Sequence, residues 1–137
     1  MKEENKRGWG KYILFIFVLV VTYQSFTLCK VEGKSMQPTL HEEDYVFVNK
    51  AAVHFSSLQH GEIVIIKEED ESKYYVKRVI GLPGDIINIT NGTVYVMGDN
   101  REQSKDSRNG LGYIEEDNII GKVEFVYYPF SKMKIIK

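Results

Sequence analysis

The chain has 137 residues, 43% of them hydrophobic, which is enough for one domain of modest size. Its 18 Lys and Arg residues nearly balance 19 Asp and Glu residues, so there is no overall basic field, and we expect no nucleic-acid partner. A single cysteine excludes an internal disulfide, and the three histidines lack the spacing of a metal motif. We therefore expect neither a metal site nor a cofactor.

The N-terminus has the pattern of a membrane anchor. Residues 1–11 are polar and basic, and they precede an apolar run of 18 residues at 12–29. Such a run forms a helix about 27 Å long, close to the hydrocarbon thickness of about 30 Å. Because basic residues favour the cytoplasmic side, we expect a cytoplasmic N-terminus at 1–11, a transmembrane anchor at 12–29 and an extracytoplasmic domain at 30–137, on the outer face of the plasma membrane.

Two alternatives to a retained anchor are a cleaved secretory signal and a buried core helix. A cleaved signal ends in small residues, whereas this run ends with the bulky Phe26 and Leu28. Lipid attachment at Cys29 would also require a small residue before it, and Leu28 is not small. The hydropathy pattern therefore favours an uncleaved span.

Alternating apolar and polar residues dominate after residue 30 and predict β-strands. The predicted strands cover residues 44–49, 62–67, 73–80, 93–97 and 122–128. Asn91-Gly92, between the segments 86–89 and 93–96, predicts a hairpin closed by a type I′ turn. No long amphipathic helix is predicted in this part, so we expect a mainly β domain.

The segment Gly33-Lys34-Ser35 has the composition of a nucleophile loop. A phosphate-binding loop is excluded because Leu28 occupies the position of its first glycine. Glycine lets the backbone approach a substrate, and Ser35 offers a hydroxyl that a neighbouring base can activate. The alternative is that Ser35 serves only as a turn residue.

Lysine is the candidate base, because no histidine has an evident acidic partner. Strand alternation places Lys77 and Arg78 on opposite faces. A lysine pKa of about 10.4 must fall by about 3.4 units to be half neutral at pH 7, which burial can achieve, whereas arginine stays charged. The alternative for Lys77 is a side chain that extends to solvent.

A third polar cluster lies at residues 97–110. Asp99, Asp106 and Arg108 can form charge-assisted hydrogen bonds, and the Ser104 hydroxyl can orient an amine. The alternative is a solvated polar loop.

Together these residues resemble the bacterial type I signal peptidases (leader peptidases), here in a short form. The matching segments are Ser35-Met36-Gln37-Pro38-Thr39, the run from Lys77 to Asp85, and Gly98-Asp99-Asn100-Arg101 with Ser104, Asp106, Ser107 and Arg108, in family order behind an N-terminal anchor. The resemblance implies a β-rich catalytic domain that acts as a Ser/Lys-dyad protease. It implies that Ser35 is the acylated nucleophile, that Lys77 is the neutral general base and that Ser104 helps to hold the lysine amine.

The resemblance further implies that Asp99, Asp106 and Arg108 brace the site. In that family the nucleophile's own N–H contributes to the oxyanion hole, and some members add a hydroxyl two residues earlier, where this chain has Gly33. Family members usually carry a β-rich insert before the Gly-Asp-Asn motif, but only 12 residues, 86–97, separate Asp85 from Gly98 here. We therefore expect a domain that lacks most of the insert.

The resemblance implies cleavage of signal peptides of exported preproteins after small residues of the A-x-A type, by a protein held in a lipid bilayer. Val31, Met36 and Val76 are candidates for the substrate pockets, and we expect a monomer. Two alternatives are a catalytically silent, membrane-tethered homologue that binds exported chains or a secretion partner, and a self-cleaving repressor. The repressor requires an N-terminal DNA-binding domain, which residues 1–29 do not supply.

Overall fold

The N-terminal helix carries the candidate membrane span. The computed structural model describes residues 6–68, 73–85 and 89–136, and it begins with helix α1 at Lys6–Ser25. Its segment Gly8–Ser25 is long and apolar enough to cross a membrane, with a mean hydropathy of 1.2 and no part of it buried. By length and composition, then, one described helix is suited to a bilayer.

The end of this helix differs from the prediction. The apolar run was expected to stay helical to Cys29, but the helix ends at Ser25 and Phe26–Lys30 form strand β1. The hydroxyl of Ser25 donates to the Val21 carbonyl oxygen at 2.7 Å within the last helical turn. Beyond it, β1 pairs in antiparallel register with the strand at Tyr45–Asn49, so the sheet supplies the backbone hydrogen bonds that further helix would have made.

The part after the helix is mainly β, as predicted. The remaining strands are β2 (Tyr45–Asn49), β3 (Ile63–Lys67), β4 (Tyr74–Gly81), β5 (Thr93–Met97), β6 (Ile114–Glu115), β7 (Ile119–Tyr128) and β8 (Lys134–Ile135), with a short helix α2 (Ala51–Phe55) and 3-10 turns at Glu116–Asn118 and Phe130–Lys132. All five strands expected from alternation are present, as β2, β3, β4, β5 and β7. The short strands β1, β6 and β8 were not anticipated.

The described strands form one antiparallel sheet in the order β1-β2-β7-β3-β4-β5-β6, with β8 also paired to β7. Strand β3 is covered on both faces: Ile63 and Ile65 pack in one apolar cluster, with Val46 and Val48, and Val64 and Ile66 pack in a second. Each fully buried Val or Ile contributes about 1.5–3 kcal/mol. The curled sheet thus holds β3 and its neighbour β4 firmly in place.

The turn at Asn91-Gly92 exists, but its type differs from the prediction. Thr93 N–H donates to the Thr90 carbonyl oxygen at 3.1 Å, and Gly92 has φ +81°. Among the described non-glycine residues only Glu43 has positive φ, so Asn91 does not. A type I′ turn requires positive φ at both central residues, so that assignment was wrong, and the signs of φ at Asn91 and Gly92 are those of a type II turn.

The predicted partner strand of this hairpin lies mostly outside the described residues. Residues 86–88 are not described, and Ile89 is buried outside any strand. Strand β5 pairs with β4 and β6 instead. A Cβ at Gly81 would lie 2.5 Å from Ile89 Cδ1, so the missing side chain at Gly81 lets Ile89 fold onto β4. Ile89 therefore packs against the lysine-bearing strand.

Candidate active site

Strand β4 directs Lys77 into the protein and Arg78 to the other side. Lys77 is 2% exposed, and the Arg78 side chain is 18% exposed. The pairing Val64↔Lys77 and Ile63↔Arg78 with β3 fixes this orientation, because successive residues of a strand face opposite sides. The buried cation on this strand is the lysine.

The amine of Lys77 reaches the hydroxyl of Ser35. Lys77 Nζ lies 2.9 Å from Ser35 Oγ, although 42 positions separate the two residues. Ser35 is half-buried in a tight loop in which Gln37 N–H donates to the Lys34 carbonyl oxygen at 3.2 Å. Gly33 opens this loop at φ +80°, in the region that favours glycine.

Burial lowers the pKa of Lys77, while the negative charge of Asp106 acts in the opposite direction and is the weaker effect. Desolvation disfavours the charged amine, and this is the change that a lysine base requires. The Tyr75 ring centroid lies 5.7 Å from Lys77 Nζ. A hydroxyl within hydrogen-bond distance of a desolvated amine is the arrangement of an activated nucleophile.

The loop after β5 holds the backbone around Ser35. Asn100 N–H donates to the Ser35 carbonyl oxygen at 2.9 Å, and its side-chain amide donates to the Lys34 carbonyl oxygen at 3.1 Å. A Cβ at Gly98 would lie 2.5 Å from the Ser35 carbonyl oxygen, so only glycine permits this approach. Asn100 was not among the site residues predicted from the sequence, although it stands within the matching motif.

Ser104 lies beside this contact, but it does not hold the lysine amine in the structure. Its side chain is 3% exposed, and its hydroxyl oxygen has no hydrogen-bond partner within the described chain. It stands close enough to the Asp106 carboxylate to lower its pKa slightly without the geometry of a hydrogen bond. The Lys77 amine is directed to Ser35 instead, and the Ser104 hydroxyl stays unpaired.

Asp106 and Arg108 form a brace beneath the loop. Asp106 is fully buried, and Arg108 donates to its two carboxylate oxygens from Nε and Nη2, each at 2.9 Å. The Gly98 N–H donates to the same carboxylate at 3.0 Å. Burial acts to raise the pKa of Asp106, but the Arg108 guanidinium and the backbone N–H groups of Gly98 and Arg108 outweigh it and hold the pKa well below its usual range.

Asp99 and Arg78 form a second brace on the other side of β4. Arg78 donates to Asp99 from Nε at 2.8 Å and from Nη2 at 2.7 Å, and its Nη1 donates to the Gly61 carbonyl oxygen at 2.6 Å. Bidentate pairs of this kind fix geometry as well as contribute energy. Burial acts to raise the pKa of Asp99, but hydrogen bonds with Arg78 and Thr39 and the charges of Arg78 and Arg101 together outweigh it and lower the pKa. Asp99, Asp106 and Arg108 thus all lie in braces around Ser35 and Lys77.

The pocket candidates do not line an open surface. Val31 and Met36 are 3% and 1% exposed and belong to the apolar core, and Val76 is half-buried against the same core. An open cleft of about 670 Å³ lies nearby. It is lined by Thr27, Cys29, Lys30, Glu32, Ile65, Lys73, Tyr74, Tyr75 and Ile120. Ser35 and Lys77 are not in its lining. Tyr75 is a lining residue, and its ring contacts Lys77.

Known proteins of one family are similar to this chain over nearly its whole length. The family described as signal peptidase, peptidase S26, matches residues 6–97 and 88–128. Signal peptidase I T of Bacillus subtilis strain 168 is 36% identical, with 99% of this chain and 92% of the relative aligned. Signal peptidase I P of Bacillus subtilis subsp. natto is 34% identical over 99% of this chain and 96% of its own length, and a signal peptidase I of Bacillus licheniformis is 32% identical over 97% and 96%. The chain belongs to the signal peptidase family, peptidase S26, and is therefore a serine endopeptidase.

The comparison also bears on the length of the domain. The alignment with the natto relative is 178 positions long, whereas this chain has 137 residues, so at least 41 positions have no counterpart here. The two segments of the family match overlap at residues 88–97, within the stretch 86–97 where the sequence predicts a shortened family insert. The Ser35–Lys77 contact is formed in spite of this shortening.

Proposed function

We propose that this protein is a membrane-anchored signal peptidase that cleaves signal peptides from exported preproteins, with Ser35 as the nucleophile and Lys77 as its general base. The observation that carries the proposal is the 2.9 Å contact between Ser35 Oγ and the buried Lys77 Nζ. A serine hydroxyl is a weak nucleophile without a base, and a desolvated lysine is one of the few side chains that can serve as one.

In the proposed reaction, neutral Lys77 accepts the Ser35 proton as the hydroxyl oxygen attacks the carbonyl carbon of the scissile bond. The Lys77 ammonium then protonates the leaving amine, and the signal peptide stays esterified to Ser35. Water attacks this ester while Lys77 accepts the water proton, and Ser35 regains its proton when the acid is released. Lys77 thus transfers the proton in both acylation and deacylation.

The backbone around Ser35 suits the charge that develops during attack. Within the described residues the Ser35 N–H donates no hydrogen bond, so it is free to donate to the oxyanion. Gly33 offers no hydroxyl, and nothing lies within 4 Å of where its Cβ would stand. The nucleophile's own amide is therefore the donor that we assign to this role.

The cleft beside the site suits an extended peptide. Strand β1 pairs with β2 along one edge, and residues 74–77 of β4 pair with β3 but precede the β5 contacts, which begin at Arg78. Two strand edges that border the cleft are thus without a partner in the described sheet, and a substrate segment can pair with them. The family resemblance supports cleavage after small residues of the A-x-A type, although Val31 and Met36 lie in the core and do not line this cleft.

The remaining parts of the proposal concern the membrane. We assign helix α1 as a single span with its basic N-terminus in the cytoplasm, because the Lys and Arg residues precede the apolar segment. Ser35 follows the end of the helix by ten residues, which is at most about 33 Å of extended chain. The catalytic domain then lies on the outer face of the plasma membrane, as a monomer, close to where a signal peptide emerges.

The direct test uses the full chain in detergent with a preprotein that has an A-x-A cleavage site. The expected result is a new N-terminus immediately after the small residue, absent when Ser35→Ala replaces the wild-type protein. Binding of the preprotein without any cleavage would contradict the proposal and favour the silent, tethered homologue.

A further inference from the structure

A second lysine, Lys105, lies close to the same aromatic ring as the proposed base. Lys105 Nζ lies 3.2 Å from Glu68 Oε1, and both groups reach the Tyr75 hydroxyl at 3.5 Å. The Tyr75 ring centroid is 5.5 Å from Lys105 Nζ and 5.7 Å from Lys77 Nζ. One aromatic ring therefore contacts both amines.

The two charged residues join separate parts of the fold. Glu68 follows the last residue of β3, and Lys105 stands between Ser104 and Asp106 in the loop that braces Ser35. A Cβ at Gly110 would lie 3.1 Å from Lys105 Cε and 3.4 Å from its Cγ, so the stem of the lysine packs against that loop. The ion pair thus connects the β3 end to the loop across the Tyr75 hydroxyl.

We propose that Lys105 and Glu68 are positioning residues that hold the Tyr75 ring against the Lys77 amine and so keep water away from the base. This inference rests on the proposed role of Lys77. The Lys105 and Glu68 side chains are 49% and 24% exposed, and an ion pair this exposed contributes little to stability. The ion pair therefore acts mainly on the placement of Tyr75. The Tyr75 side chain is only half-buried and lines the cleft.

Two effects of the ring on Lys77 oppose each other. The ring face attracts the ammonium, which favours the charged amine, but that attraction is modest at a distance near the 6 Å limit of the contact. Exclusion of water favours the neutral amine, and full burial shifts a lysine pKa by up to several units. With Lys77 only 2% exposed, the exclusion of water is the larger effect, so loosening the ring raises the Lys77 pKa.

The direction in which the Lys77 pKa shifts distinguishes a positioning role of Lys105 and Glu68 from a direct effect of their charges. Among the described residues, the groups that face Lys77 are Ser35, the Tyr75 ring and, by its charge, Asp106. If Lys105 and Glu68 acted only through their charges, removing the positive one would raise the Lys77 pKa and removing the negative one would lower it. If they position Tyr75, the removal of either one admits water and raises it.

The experiment measures preprotein cleavage against pH for the full-length protein in detergent, with Lys105→Met and Glu68→Gln compared with wild type. We expect both variants to move the acid limb of the profile upward by about half a pH unit, with kcat lowered near neutral pH and KM unchanged. The charge exchange Lys105→Glu with Glu68→Lys should return the limb toward wild type. The matched control is Lys132→Met, since the Lys132 side chain is 46% exposed and pairs with Asp44 rather than with Glu68 or Tyr75, and its profile should equal that of wild type.

Shifts of opposite sign in the two variants, or no shift in either, would overturn the positioning role while leaving the proposed function intact. If the wild-type protein shows no cleavage, or if its cleavage does not depend on Ser35, the proposed function is overturned. This inference then falls with it.

Discussion

Gly98 lies directly against Ser104, and a Cβ at position 98 would overlap the Ser104 hydroxyl and stand 2.5 Å from the Ser35 carbonyl oxygen. We expect Gly98→Ala to cost about 1–3 kcal/mol of stability, as overpacking does, and to lower cleavage at least tenfold by displacing Ser35. Thermal unfolding and a cleavage assay measure the two effects. Gly10→Ala is the control, because nothing lies within 4 Å of its Cβ position. A wild-type cleavage rate for Gly98→Ala would show that the close approach of Gly98 to the Ser35 carbonyl oxygen is not needed.

Ser104 should separate stability from activity. Its buried hydroxyl has no partner in the described structure, and an unpaired buried polar group costs about 1–3 kcal/mol. Ser104→Ala is therefore expected to unfold at the same temperature as wild type or higher. If the hydroxyl orients the lysine amine once substrate is bound, the same variant should cleave more slowly. A loss of stability would instead assign Ser104 a structural hydrogen bond in the resting protein.

Asp106 should make the protein sensitive to acid. Because the folded protein holds the pKa of Asp106 below its usual range, its ionisation stabilises the fold above pH of about 4, and this stabilisation is lost as the pH falls further. We expect Asp106→Asn to lose about 1–3 kcal/mol at neutral pH and to show a flatter decline of stability in acid. Denaturant unfolding at several pH values measures this, and parallel curves for the two proteins would contradict it.

Sequence alternation predicted the sheet and the orientation of β4 because long strands with one buried face leave a clear pattern. It correctly separated Lys77 from Arg78, which depends only on the period of two. The strands β6 and β8 have two residues each, too few for a pattern, and β1 was hidden in the apolar run of the anchor. Its pairing with β2 is a tertiary contact that local sequence does not encode.

The residues of the site that belong to a recognisable motif were predictable from the sequence, and the residues outside such motifs were not. Ser35 and Lys77 followed from chemistry and resemblance, whereas the pocket assignments of Val31 and Met36 did not anticipate that both side chains point into the core. Lys105 and Glu68 carry no motif signal, because surface-accessible charges are common and only the fold brings them to Tyr75. Contacts between distant segments that no motif marks are the part that the sequence did not predict.

The turn at Asn91-Gly92 gives a test of its corrected type. Gly92 has φ +81°, which a β-branched residue resists, so Gly92→Val should lower the melting temperature by several degrees, corresponding to about 1–2 kcal/mol. Asn91→Ala should change it little, because a type II turn places negative φ at that position. Equal losses in both variants would restore the type I′ assignment.

The central claim is that Lys77 acts as the neutral base for Ser35, and the most direct measurement is the rate of preprotein cleavage against pH for wild type and Lys77→Arg. For wild type we predict that the rate rises with pH through a midpoint well below the lysine reference of about 10.4, because burial lowers the pKa of Lys77. Arginine keeps the charge but cannot release its proton at working pH, so Lys77→Arg should be inactive at every pH while remaining folded and membrane-inserted. Substantial cleavage by Lys77→Arg, or a wild-type midpoint at the ordinary lysine value, would contradict the account.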